Sequence, residues 1–229
     1  GRRLWVPWGN EEELPSLHRL DGLFHRWHHE QEKLYVAPGT WSTYRSPNGK
    51  YGFDHHCAFP MEPYAWACLY LTRRDVYEAR VRESCDRIAD ALERDGCILC
   101  YHHGEDPQPF DGGAFGHGSA SEALCFGYRV LENERYLLAA RLAADAYDEY
   151  PLECNTNYMA FVLWHLSELY ELTGEQQHLE RAWWYTENAI LRGFTPGGNF
   201  PGHNYYTAYG NITLKGLAKL YRVMPHDWP

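Results

Sequence analysis

Apolar side chains along this chain recur every three to four positions over long windows, the period of helices that bury one stripe. Over residues 11–32, Leu14, Leu17, Leu20, Phe24 and Trp27 keep that spacing, acidic residues crowd the start, and Pro15 lies near the first turn, where proline is tolerated. Residues 61–72 are apolar on most sides. Residues 75–94 are amphipathic, with Val76, Ala79, Ile88, Ala91 and Leu92 expected inward and Asp75 as N-cap. Helices are further predicted over 119–131, 134–147, 157–172, 176–191 and 205–223. Residues 1–10 read as an extended arm. Short strand and loop segments are expected near 34–56 and 97–103, where Pro38-Gly39 and Pro47-Asn48-Gly49 signal turns.

The helices align as pairs. Tyr70, Tyr128, Tyr170 and Tyr221 each close an apolar helix, and Tyr77, Tyr136 and His178 follow the first three in more charged helices. A helix apolar all round is buried, and one with a charged stripe lies outside. Hairpins repeating at about 42 to 58 residues cannot bury their faces alone and must stack on one another. The expectation is a single all-α domain over 1–229, an α/α toroid of about four helical hairpins, small or incomplete, with inner and outer helices alternating.

A glycine-dense stretch recurs where inner helices begin. Gly112-Gly113-Ala114-Phe115-Gly116-His117-Gly118 is followed by the helix predicted from 119. Gly197-Gly198-Asn199-Phe200-Pro201-Gly202-His203 repeats the order Gly-Gly-x-Phe-x-Gly-His ahead of Asn204, Tyr205 and Tyr206. Gly49-Lys50-Tyr51-Gly52-Phe53-Asp54-His55-His56 is a looser copy. Glycine lets a loop take φ > 0 and approach a ligand closely. These stretches are therefore expected to be loops that hand a histidine to each inner-helix N-terminus, where unpaired N–H groups and the dipole favour the neutral ring. His55, His117 and His203 would then gather at one mouth.

Charge and composition narrow the partners. The net charge is −10 and no basic run exists, so no nucleic-acid partner is expected. No apolar run reaches 18 residues, so no membrane partner is expected either. Seven scattered cysteines read as free buried thiols rather than a disulfide framework, which favours a soluble, cytoplasmic protein. Aromatic residues make up 16% of the chain, and flat rings stack on the apolar faces of sugars or fill a core.

The order Tyr101-His102-His103-Gly104-Glu105-Asp106, the stretch 112–118 and then an inner helix resembles the Tyr-His-Gly strand, glycine-rich loop and helix of unsaturated glucuronyl and rhamnogalacturonyl hydrolases. Leu169-Tyr170-Glu171-Leu172-Thr173-Gly174-Glu175 is similar to a hairpin turn common among (α/α) toroid carbohydrate-active enzymes, which also include polysaccharide lyases and glucuronyl epimerase domains. The resemblance covers about residues 50–224 and implies the toroid fold and an oligo- or polysaccharide substrate. Two departures stand against it. Those enzymes have six or seven hairpins, and their paired-aspartate motif has no copy here.

Hydrolysis of a glycosidic bond needs two carboxyl groups, one protonated and one ionised. Asp54, Glu62, Asp106, Asp111 and Glu122 stand near inner-helix starts, where their plainer use is capping or turn formation. Elimination beside a uronate needs a base, an acid and a neutralising group. His117, His203, Tyr205 and Tyr206 supply the first two, and Arg45, Asn157 and Asn204 the last, with Tyr158 as a further substrate-binding candidate. Trp41, His55, His56 and His102 complete the substrate-binding candidates. Zinc is a third option, from Asp54-His55-His56-Cys57 and Cys97-x-x-Cys100-Tyr101-His102-His103. A lone Cys-x-x-Cys is a weak signal, and a strand would turn its two thiols to opposite faces, so no metal or other cofactor is expected. A non-catalytic repeat module that binds glycan or protein is the alternative to an enzyme.

Overall fold

The computed structural model describes residues 17–41, 60–71, 74–101, 109–153, 155–197, 200, 207–225 and 228. Within them lie helices α1 (Leu17–Glu32), α2 (Met61–Tyr70), α3 (Arg74–Asp95), α4 (Gly113–Leu131), α5 (Glu134–Asp145), α6 (Thr156–Thr173), α7 (Gln176–Tyr185) and α8 (Thr207–Val223). Two antiparallel strand pairs complete the set: β1 (Tyr35–Ala37) with β2 (Thr40–Trp41), and β3 (Leu99–Tyr101) with β4 (Pro109–Asp111). No helix among the described residues is long and apolar enough to cross a membrane.

The predicted alternation of inner and outer helices is present. Along α6 every residue from Thr156 to Leu169 is buried except Tyr158, as an inner helix requires. Helices α3, α5 and α7 carry charged outer stripes. Tyr77, Tyr136 and His178, one in the first turns of each outer helix, are all buried. Ile88, Ala91 and Leu92 of α3 are buried as expected, but the first half of its stripe is phased differently. Val76 and Ala79 are exposed, while Tyr77, Val81, Cys85, Ile88 and Leu92 face the core. The predicted helix over 176–191 is broken into α7, a π-turn at Thr186–Ile190 and a 3-10 turn at Leu191–Gly193.

Neighbouring inner helices run parallel. Phe115 of α4 stacks on Tyr158 of α6 at 5.0 Å, Gly118 abuts the backbone of Phe161, and Arg129 reaches Glu168 and Glu171 further along both helices. On the other side of α6, Trp164 donates to the Ile212 carbonyl at 3.1 Å and Glu168 meets Lys219, again advancing together. Parallel inner helices put their N-termini on a shared rim.

The glycine-dense stretch 112–118 is not a loop. Helix α4 begins at Gly113 and runs through the glycines without a break. Gly113 stands at φ 58°, a left-handed conformation that suits glycine. Its N–H is taken up by Asp111 Oδ1 at 2.9 Å, so Asp111 relieves one of the unpaired amides at the helix start. Gly118 serves close packing: a Cβ there would lie 2.5 Å from the Phe161 carbonyl carbon. Small residues thus bring α4 and α6 together, and the histidine is carried inside the helix rather than ahead of it.

Candidate active site at the rim of the inner helices

Strand β4 delivers Asp111 to the start of α4, and the connection from α5 to α6 delivers Tyr150 and Glu153 to the same place. The Gly112 N–H donates to the Ile98 carbonyl at 2.8 Å, which ties the strand pair to the helix. In return, the Ile98 N–H donates to His117 Nε2 at 3.2 Å. His117 is fully buried, so its ring satisfies a backbone donor that water cannot reach. Burial lowers the His117 pKa, against a weaker raising effect of Asp111, whose Oδ1 is 3.8 Å away.

Tyr150 joins the group. Its hydroxyl lies 2.9 Å from Asp111 Oδ2, 3.1 Å from Oδ1 and 2.9 Å from His117 Nε2. Burial, and then the bond to Asp111, pushes the phenol pKa up, so the hydroxyl keeps its proton. Glu153 also approaches Gly113: its Oε1 would lie 3.8 Å from a Cβ on that residue. Burial alone raises the Glu153 pKa. Two carboxyl groups therefore lie close to Gly113 in different settings. Asp111 is 46% exposed and accepts two hydrogen bonds, whereas Glu153 is held toward its protonated form.

Of the residues singled out by sequence, the rim brings together Asp111 and His117, with Tyr158 nearby on Phe115. Tyr150 and Glu153 were not anticipated. Both precede an inner helix, as Asp111 does, but their segment has no glycines to mark it.

Other candidates lie elsewhere. Glu122 does not face the mouth. It is buried in the third turn of α4, 2.7 Å from Lys219 Nζ. Burial raises the Glu122 pKa, with Lys219 opposing it. Glu62 pairs with Lys215. Trp41 is 2% exposed and packs against Tyr35 and Tyr64, so its face is not open to a sugar. Asn157 is buried at 1% exposure beneath the rim. Arg45, Asp54, His55, His56, His102, Asp106, His203, Asn204, Tyr205 and Tyr206 lie outside the described residues, and so does any convergence of the three histidines. A groove of about 500 Å³ lies along outer helix α3, lined by Pro38, Glu83, Asp86, Arg87, Asp90 and Arg94, and none of the rim residues lines it. Among the described residues no group of three or more His, Cys, Asp and Glu side chains is placed to hold a metal ion.

No protein-family model and no curated protein matches the sequence. Solved structures do resemble the chain. The endoglucanase CelQ from Clostridium thermocellum, solved with cellotriose and with cellotetraose, superposes with a TM-score of 0.56 at 18% identity, over 76% of this chain and 35% of that one. The unsaturated glucuronyl hydrolase from Bacillus sp. GL1, responsible for glycosaminoglycan degradation, superposes with a TM-score of 0.60 at 16% identity, over 90% of this chain and 66% of that one. The chain thus spans about a third of the endoglucanase and about two thirds of the glucuronyl hydrolase. What it has in common with them is the α/α toroid fold.

Proposed function

We propose that this protein cleaves a glycosidic linkage in an oligo- or polysaccharide by hydrolysis at the rim formed by the starts of α4 and α6. The observation that carries the proposal is the pair of carboxyl groups near Gly113, one hydrogen-bonded and exposed, the other shifted toward its protonated form by burial. Such a division of environments is what lets one carboxyl act as acid and another as base. Glu153 gives its proton to the leaving oxygen as the C–O bond breaks. Asp111 takes a proton from the water that attacks the anomeric carbon. The likeness of fold to two glycan-degrading enzymes supports the substrate class.

The contact between Tyr150 and His117 favours a second reading, elimination beside a uronate. The two reactions leave different products. Hydrolysis creates a reducing end without a new chromophore, and elimination creates a double bond conjugated to a carboxylate, which absorbs in the ultraviolet. Turnover of a panel of neutral and uronate oligosaccharides, followed by reducing-end and absorbance assays, separates them. For hydrolysis, Asp111→Asn and Glu153→Gln are each expected to lower kcat by about 10²- to 10⁴-fold, the usual worth of a positioned acid or base. The wild-type kcat should also fall as pH rises through the Glu153 pKa, because the acid must be protonated. Binding without turnover across the panel, or unaltered kcat in both variants, would sink the proposal.

A further inference from the structure

Charge along this chain is sorted by height on the inner helices. Four stretches, 51–72, 95–128, 142–180 and 193–214, contain none of the 21 lysines and arginines. They carry the starts of α2, α4, α6 and α8, so each of these helices begins within a segment that has no permanent cation. Acids remain at the rim. Asp111 and Glu153 lie close to Gly113, and Glu149 is exposed beside Tyr150.

The cations of the inner helices come lower. At about 1.5 Å per residue, Arg129 stands about 24 Å along α4 from Gly113. Lys219 is level with Glu122, about 14 Å below Gly113, and is already shared by Glu62, Glu122 and Glu168. Lys215 is taken by Glu62. On the outer side, Arg94 is paired with Asp95 at 3.0 Å and Arg181 with Asp148 at 2.9 Å. In physiological salt an exposed charge is felt over about 8 Å. A carboxylate seated beside Asp111 is therefore beyond the inner-helix cations and within reach of like charge.

Asn157, in the first turn of α6, points the same way. Its Oδ1 is buried without a hydrogen-bond partner. An amide oxygen only accepts, so a hydroxyl or a water can satisfy it and a carboxylate cannot. We infer that the glycan unit held at the rim bears no negative charge: the site takes neutral sugars and turns away uronates and sulfated sugars. This rests on the proposed hydrolysis at the rim. It also speaks against elimination there, a reaction that begins beside a carboxylate and needs a neutralising group. The net charge of −10 acts in the same direction at longer range, by slowing the approach of a polyanion.

The test compares matched oligosaccharides: each uronate backbone of a panel, and its carboxyl-reduced form, in which every carboxylate has become a hydroxymethyl group. Calorimetry reads equilibrium binding, and release of reducing ends reads kcat/KM. At low salt the neutral form should be preferred about tenfold or more. The gap should narrow as salt rises, since screening weakens repulsion of the uronate and leaves the neutral form unaffected. Glu149→Lys, a change outside the proposed acid and base, should raise kcat/KM for the uronate form about two- to fivefold at low salt and leave the neutral form unchanged. A uronate bound as tightly as its reduced form overturns the inference, whether or not either is hydrolysed. A preference that ignores both salt and Glu149→Lys overturns it too, because shape and not charge then makes the choice. Salt-dependent preference for the neutral form without turnover strikes the hydrolase proposal and supports the inference. Binding of neither form on any backbone overturns both.

Discussion

At the scale of single residues, His165 is an imidazole fully enclosed in the core. Its Nδ1 lies 2.7 Å from the hydroxyl of Tyr147, both residues are fully buried, and the Tyr185 hydroxyl donates to the Tyr147 carbonyl. Burial, then the nearby His178 and His117, lowers the His165 pKa to about 3. The sign of the pH effect follows. Between its ordinary value of 6.5 and about 3 the unfolded chain binds a proton that the folded one refuses. Stability should therefore fall as pH drops through 6.5, at up to about 1.4 kcal/mol per unit. His165→Gln, which cannot take a proton, should lose less stability between about pH 7.5 and pH 5.5 than wild type does, read from urea denaturation at both values. Equal losses would show that the ring charges in the folded state. The same scale shows which rim residues sequence could reveal. Asp111 and His117 were legible because glycines frame them. Tyr150 and Glu153 sit in Tyr150-Pro151-Leu152-Glu153, where no repeat marks them, and only the folded chain brings them to Gly113.

Pattern predicted the elements well because most of them bury a stripe, and it failed where glycine had two meanings. In 112–118 a run of small residues reads equally as a flexible loop or as a helix face stripped for contact. Contact with α6 decided the matter, since the Gly118 face meets backbone that no side chain could share. Gly118→Ala improves helix propensity by roughly 1 kcal/mol, yet its Cβ would meet the Phe161 carbonyl carbon at 2.5 Å, so a net loss of about 1–3 kcal/mol is expected from overpacking. Gly127→Ala meets Cys85 Sγ, the end of a side chain that can turn away, and should cost less. Thermal unfolding of the two variants checks the order. A gain in Tm for Gly118→Ala would mean that α4 and α6 are not in contact there. At the far end of α4, Glu132 stands at φ 52° and closes the helix in a left-handed cap, its N–H on the Tyr128 carbonyl at 2.8 Å. Glu132→Gly removes the cost of a side chain in that conformation and should raise stability by about 1 kcal/mol, measured in urea. The α6 to α7 turn already uses Gly174 at φ 70° for this purpose.

Across the molecule, one lysine ties the inner helices together. Lys219 of α8 is 8% exposed, and its ammonium lies 2.7 Å from Glu122 of α4, 2.6 Å from Glu168 of α6 and 3.7 Å from Glu62 of α2. Lys215, one turn earlier, pairs with Glu62 and sits 3.7 Å from the centre of the Trp164 ring. Arg129 and Arg222 hold Glu168 from other sides, at 2.9 and 3.2 Å. The two central carboxylates are thus unequal. Burial would raise Glu168, but Lys219 and Arg129 outweigh it and bring its pKa down to about 2. Among the described residues Glu122 has no arginine and only a second, more distant cation, Lys215 at 3.7 Å. Lys219→Met removes the cation and leaves both carboxylates buried, for which breaking a buried pair gives a scale of about 3–5 kcal/mol lost. Removing Glu122 as well should return part of that loss, because Glu168 keeps its two arginines while Glu122 no longer strands a charge. The double variant Lys219→Met, Glu122→Leu is therefore expected to be more stable than Lys219→Met alone, and in wild type the Glu168 contribution should fade as pH falls from 4.5 toward about 2. Urea denaturation of wild type, single and double variants measures the coupling. If the double variant is the least stable of the three, the lysine holds the helices by packing and not by charge.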